Sequence, residues 1–184
     1  MRASARRVLA CLVAVALSAP AVWGNAPPAE LQARMPALTL SGQSTLRFWG
    51  FDVYTARLWV APGFQPQAYE RHAFALELVY LRSLSSEDIT QRSLAEMRRQ
   101  PGADPALLKS WEAGLRAAIP DVRKGDRLIG LHTPGTGTTF LANGQPSGVL
   151  PDARFARLFF GIWLAPESSE LPMRADLLGS AVVR

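Results

Sequence analysis

The chain has one cysteine, Cys11, and two histidines, His72 and His132. Cys11 falls inside an N-terminal leader, so the mature protein has no thiol. It can form no disulfide, and thiol chemistry and cysteine metal sites are excluded. The histidines stand apart, without partners at metal-ligand spacing, and each reads as a structural or surface side chain. There is no nucleophile elbow and no P-loop. Gly135-Thr136-Gly137 is a turn fragment with no helix after it, so it is not a phosphate cradle. Nor is there a clear pair of catalytic acids, because Glu87 and Asp88 suit a helix start and Glu167 and Glu170 a solvated loop. No apolar run reaches the roughly 20 residues that a membrane-spanning helix needs.

The leader itself is legible. Arg2, Arg6 and Arg7 precede an apolar run from Val8 to Leu17, and small residues at Val22 and Gly24 allow cleavage before Asn25. That order is a secretory signal peptide, residues 1–24, and it predicts a periplasmic or secreted protein. A membrane anchor would need a longer run. A lipoprotein would need its cysteine later than Cys11, which has most of the apolar segment still ahead of it. The leader carries three arginines and no acid. The remaining chain therefore holds 17 of the 20 basic residues against 15 acidic ones, a net charge of +2. That balance supports neither a nucleic-acid partner nor attraction to an anionic membrane. Residues 25–184 are one domain by length, with enough chain for a core.

The densest patterning lies in Thr45–Val60. Arg47 and Trp49 share one parity before Gly50. After it, Val53, Thr55, Arg57 and Trp59 form one series, with Tyr54, Ala56, Leu58 and Val60 between them. A period of two places these series on opposite sheet faces. Gly50 predicts a bend, giving two strands or one bent strand near the centre of an antiparallel sheet. Ala37–Leu40 is a short strand, Ser41–Gln43 a turn, and Asn25–Met35 a loose lead. Ala73–Arg82 is apolar at nearly every position and predicts a buried strand.

Ser85 with Asp88 three residues on resembles a capping box and opens a helix to about Gln100. That helix is weakly amphipathic and predicted to be peripheral. Asp104-Pro105 opens a second, strongly amphipathic helix that Pro120 ends. Strands at 127–133 and 138–142 follow. Asn143-Gly144 is a hairpin turn, and Pro146 puts the return segment at an edge. Pro151-Asp152 starts a third helix, and Pro172–Leu178 a last short one with Gly179 at its C-terminal cap. Strands, helices, a meander and further helices predict an α+β fold: a large antiparallel sheet with helices packed on one face.

Arg47, Arg57 and Arg82 sit in or at the end of apolar strands. An arginine buried there needs an anionic partner, from a ligand or from an internal acid such as Asp52, Glu77 or Asp126.

The order of motifs resembles the bacterial chalcone isomerase-like family. It comprises Phe51-Asp52-Val53-Tyr54-Thr55-Ala56-Arg57-Leu58-Trp59, Arg82-Ser83-Leu84-Ser85, Lys124-Gly125-Asp126, Pro134–Thr138 with Asn143-Gly144, Phe159–Leu164, and Leu177-Leu178-Gly179. The resemblance implies an open-faced sandwich, a large antiparallel sheet under a layer of helices. It also implies a cleft that in catalytic relatives closes a flavanone ring without a cofactor and in others binds fatty acids. The catalytic members line that cleft with an arginine, a threonine and a tyrosine. Carried over, the threonine falls on Thr55, the arginine's place on Gln43 and the tyrosine's near Ile89. A cleft so altered lacks the charged donor and the phenol that would stabilise a developing enolate. Arg47, of the same strand parity as Gln43, is a substitute donor.

The resulting expectation is an exported, non-catalytic protein that needs no cofactor and holds a small amphipathic or fatty-acid-like ligand between sheet and helices. Its candidate binding residues are Thr55, Arg47, Gln43, Trp49 and Arg57. One alternative is an intramolecular lyase or isomerase of the chalcone isomerase type with altered site residues. Another is an envelope interaction module without a small ligand, using exposed aromatics such as Trp49. The sequence names neither the ligand nor an oligomeric state.

Overall fold

The computed structural model describes residues 26–182. The leader lies outside them. The described chain runs α1 (Ala29–Arg34), β1 (Thr39–Phe48), β2 (Phe51–Val60), a 3-10 segment (Pro66–Arg71) and β3 (Phe74–Tyr80). It continues through α2 (Ser86–Arg98), α3 (Pro105–Ala118), β4 (Arg127–Thr133), β5 (Gly137–Ala142), β6 (Gln145–Leu150), α4 (Ala153–Leu164) and α5 (Leu171–Val182). The six strands form one antiparallel sheet in chain order, β1 to β6. The sheet and its helices are the expected α+β architecture.

Strand alternation divides the sheet into two faces. Ala56, Leu58, Leu76, Leu78, Leu128 and Phe140 point to the side covered by α2 to α5, where they pack against Phe155, Phe159 and Phe160 of α4. Trp59, Ala75, Ile129 and Leu141 point the other way. There they form a smaller apolar cluster with Leu31 of α1 and Leu38. The lead segment is thus not loose throughout, because its one helical turn and a half buries Leu31 fully against the back of the sheet.

Three further differences from the sequence reading have local causes. Thr39–Phe48 is a single strand, and what reads as a turn at Ser41–Gln43 is a register shift between Leu40 and Gly42. Gly42 is required there: a Cβ would sit 2.0 Å from the Asp176 carbonyl oxygen, because α5 crosses directly over β1. Gly50 is the second residue of a tight hairpin turn joining β1 and β2, which makes β1 an edge strand. Gly179 lies inside α5, which continues to Val182.

The helix starts are as the sequence indicates. The Ser85 hydroxyl accepts from the Asp88 amide, Asp104 from Ala106, and Asp152 from Arg154. Asn143 and Gly144 both take positive φ at the β5–β6 turn. His132 is buried between Phe74 and Phe160, with its Nε2 2.9 Å from the Glu70 carbonyl oxygen.

Candidate functional site

A cleft of about 290 Å³ opens between the β1–β4 end of the sheet and the layer formed by α2, α4 and the start of α5. Its interior is apolar, from Leu46, Leu78, Leu128, Ile119, Phe159 and Met173. Its polar groups are Tyr54 and Tyr80 inside, with Arg82, Asp88, Arg92, Glu96 and Glu170 also on its wall. The size is at the small end of ligand pockets, and the pattern of apolar walls with a few polar groups is typical of them.

The two phenols are set by sheet register. Tyr54 of β2 is directly opposite Leu46 of β1 and Tyr80 of β3, so all three project to the helix side together. The rings of Tyr54 and Tyr80 meet edge to face at 6.0 Å. Trp163 of α4 donates its Nε1–H to the Tyr54 hydroxyl at 3.0 Å. The Tyr54 proton is left without an acceptor, and the Tyr80 hydroxyl without any hydrogen-bond partner, among the described residues. Burial pushes both phenols well above the ordinary tyrosine value. Near neutral pH they are hydrogen-bond donors and not bases.

Two of the three carboxylates of the wall are already engaged, while that of Glu170 has no hydrogen bond or ion pair among the described residues. Asp88 accepts from the Ser85 hydroxyl at 2.6 Å. Glu96, buried on α2, holds Arg92 at 2.8 Å and Arg99 at 3.7 Å. Ile89, the position expected to replace a cleft tyrosine, does lie on the cleft wall. The helix read as peripheral is therefore one wall of the site, and it buries Leu94 and Met97.

The five residues singled out from the sequence lie elsewhere. Gln43 and Arg57 are cross-strand partners, as are Thr45 and Thr55, and both rows belong to the back of the sheet with Glu77 and Arg127. Thr55 Oγ1 is 3.0 Å from Thr45 Oγ1. Arg57 approaches Glu77 at 3.9 Å, where Trp59 also donates to that carboxylate at 2.9 Å. Arg127 reaches Glu77 at 3.9 Å and pairs with Glu30 of α1. Arg47 pairs with Asp52 at 2.8 Å in an exposed bridge near the hairpin turn, and Trp49 forms that turn. None of the five lines the cleft.

The internal-acid reading of Arg47 and Arg57 is thus the one the geometry realises. Tyr54, Tyr80, Arg92 and Trp163 were missed. The signal for Tyr54 was present: it shares parity with Ala56, Leu58 and Val60, the apolar series that must face the helices.

A chalcone isomerase-like family model matches residues 19–179. The chain belongs to the chalcone isomerase-like family. An uncharacterized Haemophilus influenzae protein is 30% identical over 132 residues, which is 71% of this chain and 63% of that protein, so the match spans somewhat under two thirds of the relative. Among solved structures, an Arabidopsis thaliana fatty-acid binding protein superposes with a TM-score of 0.61 at 13% identity, covering 79% of this chain and 88% of that one. At that identity the likeness is one of fold. It agrees with the six-stranded open sheet under helices described for this chalcone isomerase-like chain. Among the described residues no helix is long and apolar enough to cross a membrane, and no group of three or more His, Cys, Asp or Glu is placed to hold a metal ion.

Proposed function

We propose that this chalcone isomerase-like chain is an exported, non-catalytic protein that binds a small amphipathic ligand, of fatty-acid type, in the cleft between sheet and helices. The observation that carries this reading is the pair of phenol protons, on Tyr54 and Tyr80, that lack acceptors in an otherwise apolar cavity. Donors that open on an apolar cavity are the kind of polar group that orients a ligand. A ligand carboxyl or carbonyl oxygen supplies one, and its apolar part covers Leu78, Leu128, Ile119 and Phe159. Arg82 adds a positive charge on the same wall, and Arg92 lies there bridged to Glu96. The fold likeness to a plant fatty-acid binding protein supports the ligand class.

The non-catalytic part rests on the state of the side chains. Raised phenols donate but do not abstract protons, and Asp88 and Glu96 are tied to Ser85 and to Arg92 and Arg99, which leaves Glu170 as the one wall carboxylate without a partner among the described residues.

Native mass spectrometry of the protein recovered from its host tests all parts together. The expected spectrum shows a chain beginning at Asn25 with a small lipid bound, released by organic solvent as an acyl species. An empty protein that isomerises a chalcone would replace this reading with the isomerase one. An empty, inactive protein would leave the interaction-module reading.

A further inference from the structure

The large apolar side chains exposed among the described residues are Phe48, Trp49, Phe51, Val149 and Leu171. The first three crowd into four consecutive positions at the tip of the β1–β2 hairpin, at 52%, 86% and 64% exposure. Trp49 is also an expensive choice for its backbone. It has φ 51° and Gly50 φ 81°, both in the left-handed region. The β5–β6 turn has nearly the same pair of angles, 49° and 83°, and fills them with Asn143-Gly144, the residues that such a turn favours. Trp49 therefore does not serve the turn. The turn serves to display Trp49.

The tip is continuous with the cleft. Phe48 lines the cleft as well as being exposed. The Arg82 guanidinium lies 5.4 Å from the centre of the Phe51 ring and that of Arg92 5.9 Å from the centre of Phe48, and both arginines are on the cleft wall. Arg47 and Arg92 are matched by Asp52 and Glu96. Arg82 has no carboxylate partner among the described residues. Its guanidinium sits over the Phe51 ring at the tip, while Asp88 and Glu170 carry negative charge elsewhere on the cleft wall.

We infer that this hairpin tip docks on a phospholipid bilayer. Phe48, Trp49 and Phe51 seat at the membrane–water interface, Arg82 meets a lipid phosphate, and the cleft mouth is held against the surface. Aromatic side chains with a cation beside them favour that interface. Three rings at one hairpin tip are too small for a stable dimer, which buries about 800 Å² per partner. The low net charge of the mature chain rules out strong long-range attraction. The docking rests on aromatic burial plus one phosphate contact, so its dependence on salt is shallow. The inference goes beyond ligand binding, because attachment needs no ligand in the cleft.

Flotation with phosphatidylcholine vesicles, and with vesicles of phosphatidylethanolamine and phosphatidylglycerol, tests it on protein recovered from its host. The expected result is association with both. Trp49→Asn should weaken it by about tenfold while melting at the same temperature or higher, because Asn suits the turn. Arg82→Gln should weaken it severalfold on the phosphatidylglycerol vesicles. Wild-type protein that stays off vesicles, or a Trp49→Asn variant that floats as well as wild type, overturns the inference. So does self-association that Trp49→Asn abolishes in a protein that does not float. An empty cleft in a protein that floats counts against the ligand reading alone. A filled cleft in a protein that does not float counts against docking alone.

Discussion

The two faces of the sheet treat polar groups in opposite ways. On the back, Glu77 is 1% exposed and surrounded: Trp59 donates to it, Arg57 and Arg127 flank it, and Glu30 of α1 pairs with Arg127. On the front, Tyr54 and Tyr80, three residues along the strands from Arg57 and Glu77, project into a cavity where no acceptor among the described residues meets their protons. A buried polar group that is already matched within the protein is part of the structure. An unmatched polar atom alone does not mark a site, since Arg127 Nε on the back is buried without a hydrogen-bond partner among the described residues; what sets the front apart is the cavity beside its phenols. The difference between the faces is therefore more informative than the residue types, since the back carries the stronger charges and the front carries the cleft.

The comparison is broken most severely by removing Glu77. Its carboxylate is the shared anion for two arginines and an indole, so Glu77→Ala leaves cations facing each other in a buried place. Loss of one partner of a buried ion pair costs about 3 kcal/mol or more. Urea unfolding should show that loss, with the midpoint displaced and the slope little changed. Ligand carried by the fraction that remains folded should be unaltered, because no member of this network touches the cleft. A variant as stable as wild type would show that the back network is ornamental.

A smaller effect is expected on the front, and it should appear in binding. Tyr80→Phe removes a hydroxyl with no partner among the described residues. It should leave stability within about 0.5 kcal/mol of wild type or raise it, and weaken a fatty acid by about fivefold to tenfold, the worth of one hydrogen bond. Tyr54→Phe separates two roles. It should weaken binding similarly and also destabilise the fold by about 1 kcal/mol, because Trp163 Nε1–H loses its acceptor. Isothermal titration beside thermal melting distinguishes the pair. Equal affinity for wild type and Tyr80→Phe would remove the phenols from the site.

The same contrast explains how far the sequence could be read. Strands, helix caps and the Asn143-Gly144 turn follow from local chemistry, and the fold class follows from their order. The cleft depends on which parity faces the helices. That choice turns on Ala56, Leu58 and Val60, and attention to the charged series Thr55, Arg57 selects the wrong face. The weak amphipathicity of α2 has a related cause. Ile89, Ser93 and Glu96 line a cavity on one side of a helix that also packs on α3 and α4, so its buried positions are partly polar. Periodicity reports burial, and a cleft wall is neither core nor surface.

Arg47 gives the smallest expected effect and the sharpest test of the sequence-based site. A cleft arginine at this position would make Arg47→Ala abolish binding of an anionic ligand. In the structure its guanidinium meets Asp52 at 2.8 Å beside the hairpin turn, with both side chains largely in solvent, and it does not line the cleft. Asp52 raises the guanidinium pKa, first through its hydrogen bond and then through its charge. An exposed pair of this kind contributes little to stability, because solvent screens it. Arg47→Ala should therefore change fatty-acid affinity less than about twofold, while Arg92→Ala, on the cleft wall, lowers it severalfold. Measured side by side by titration, a large loss at Arg47 with little at Arg92 would move the anion site from the cleft to the hairpin, and the front face would lose its claim to be the binding face.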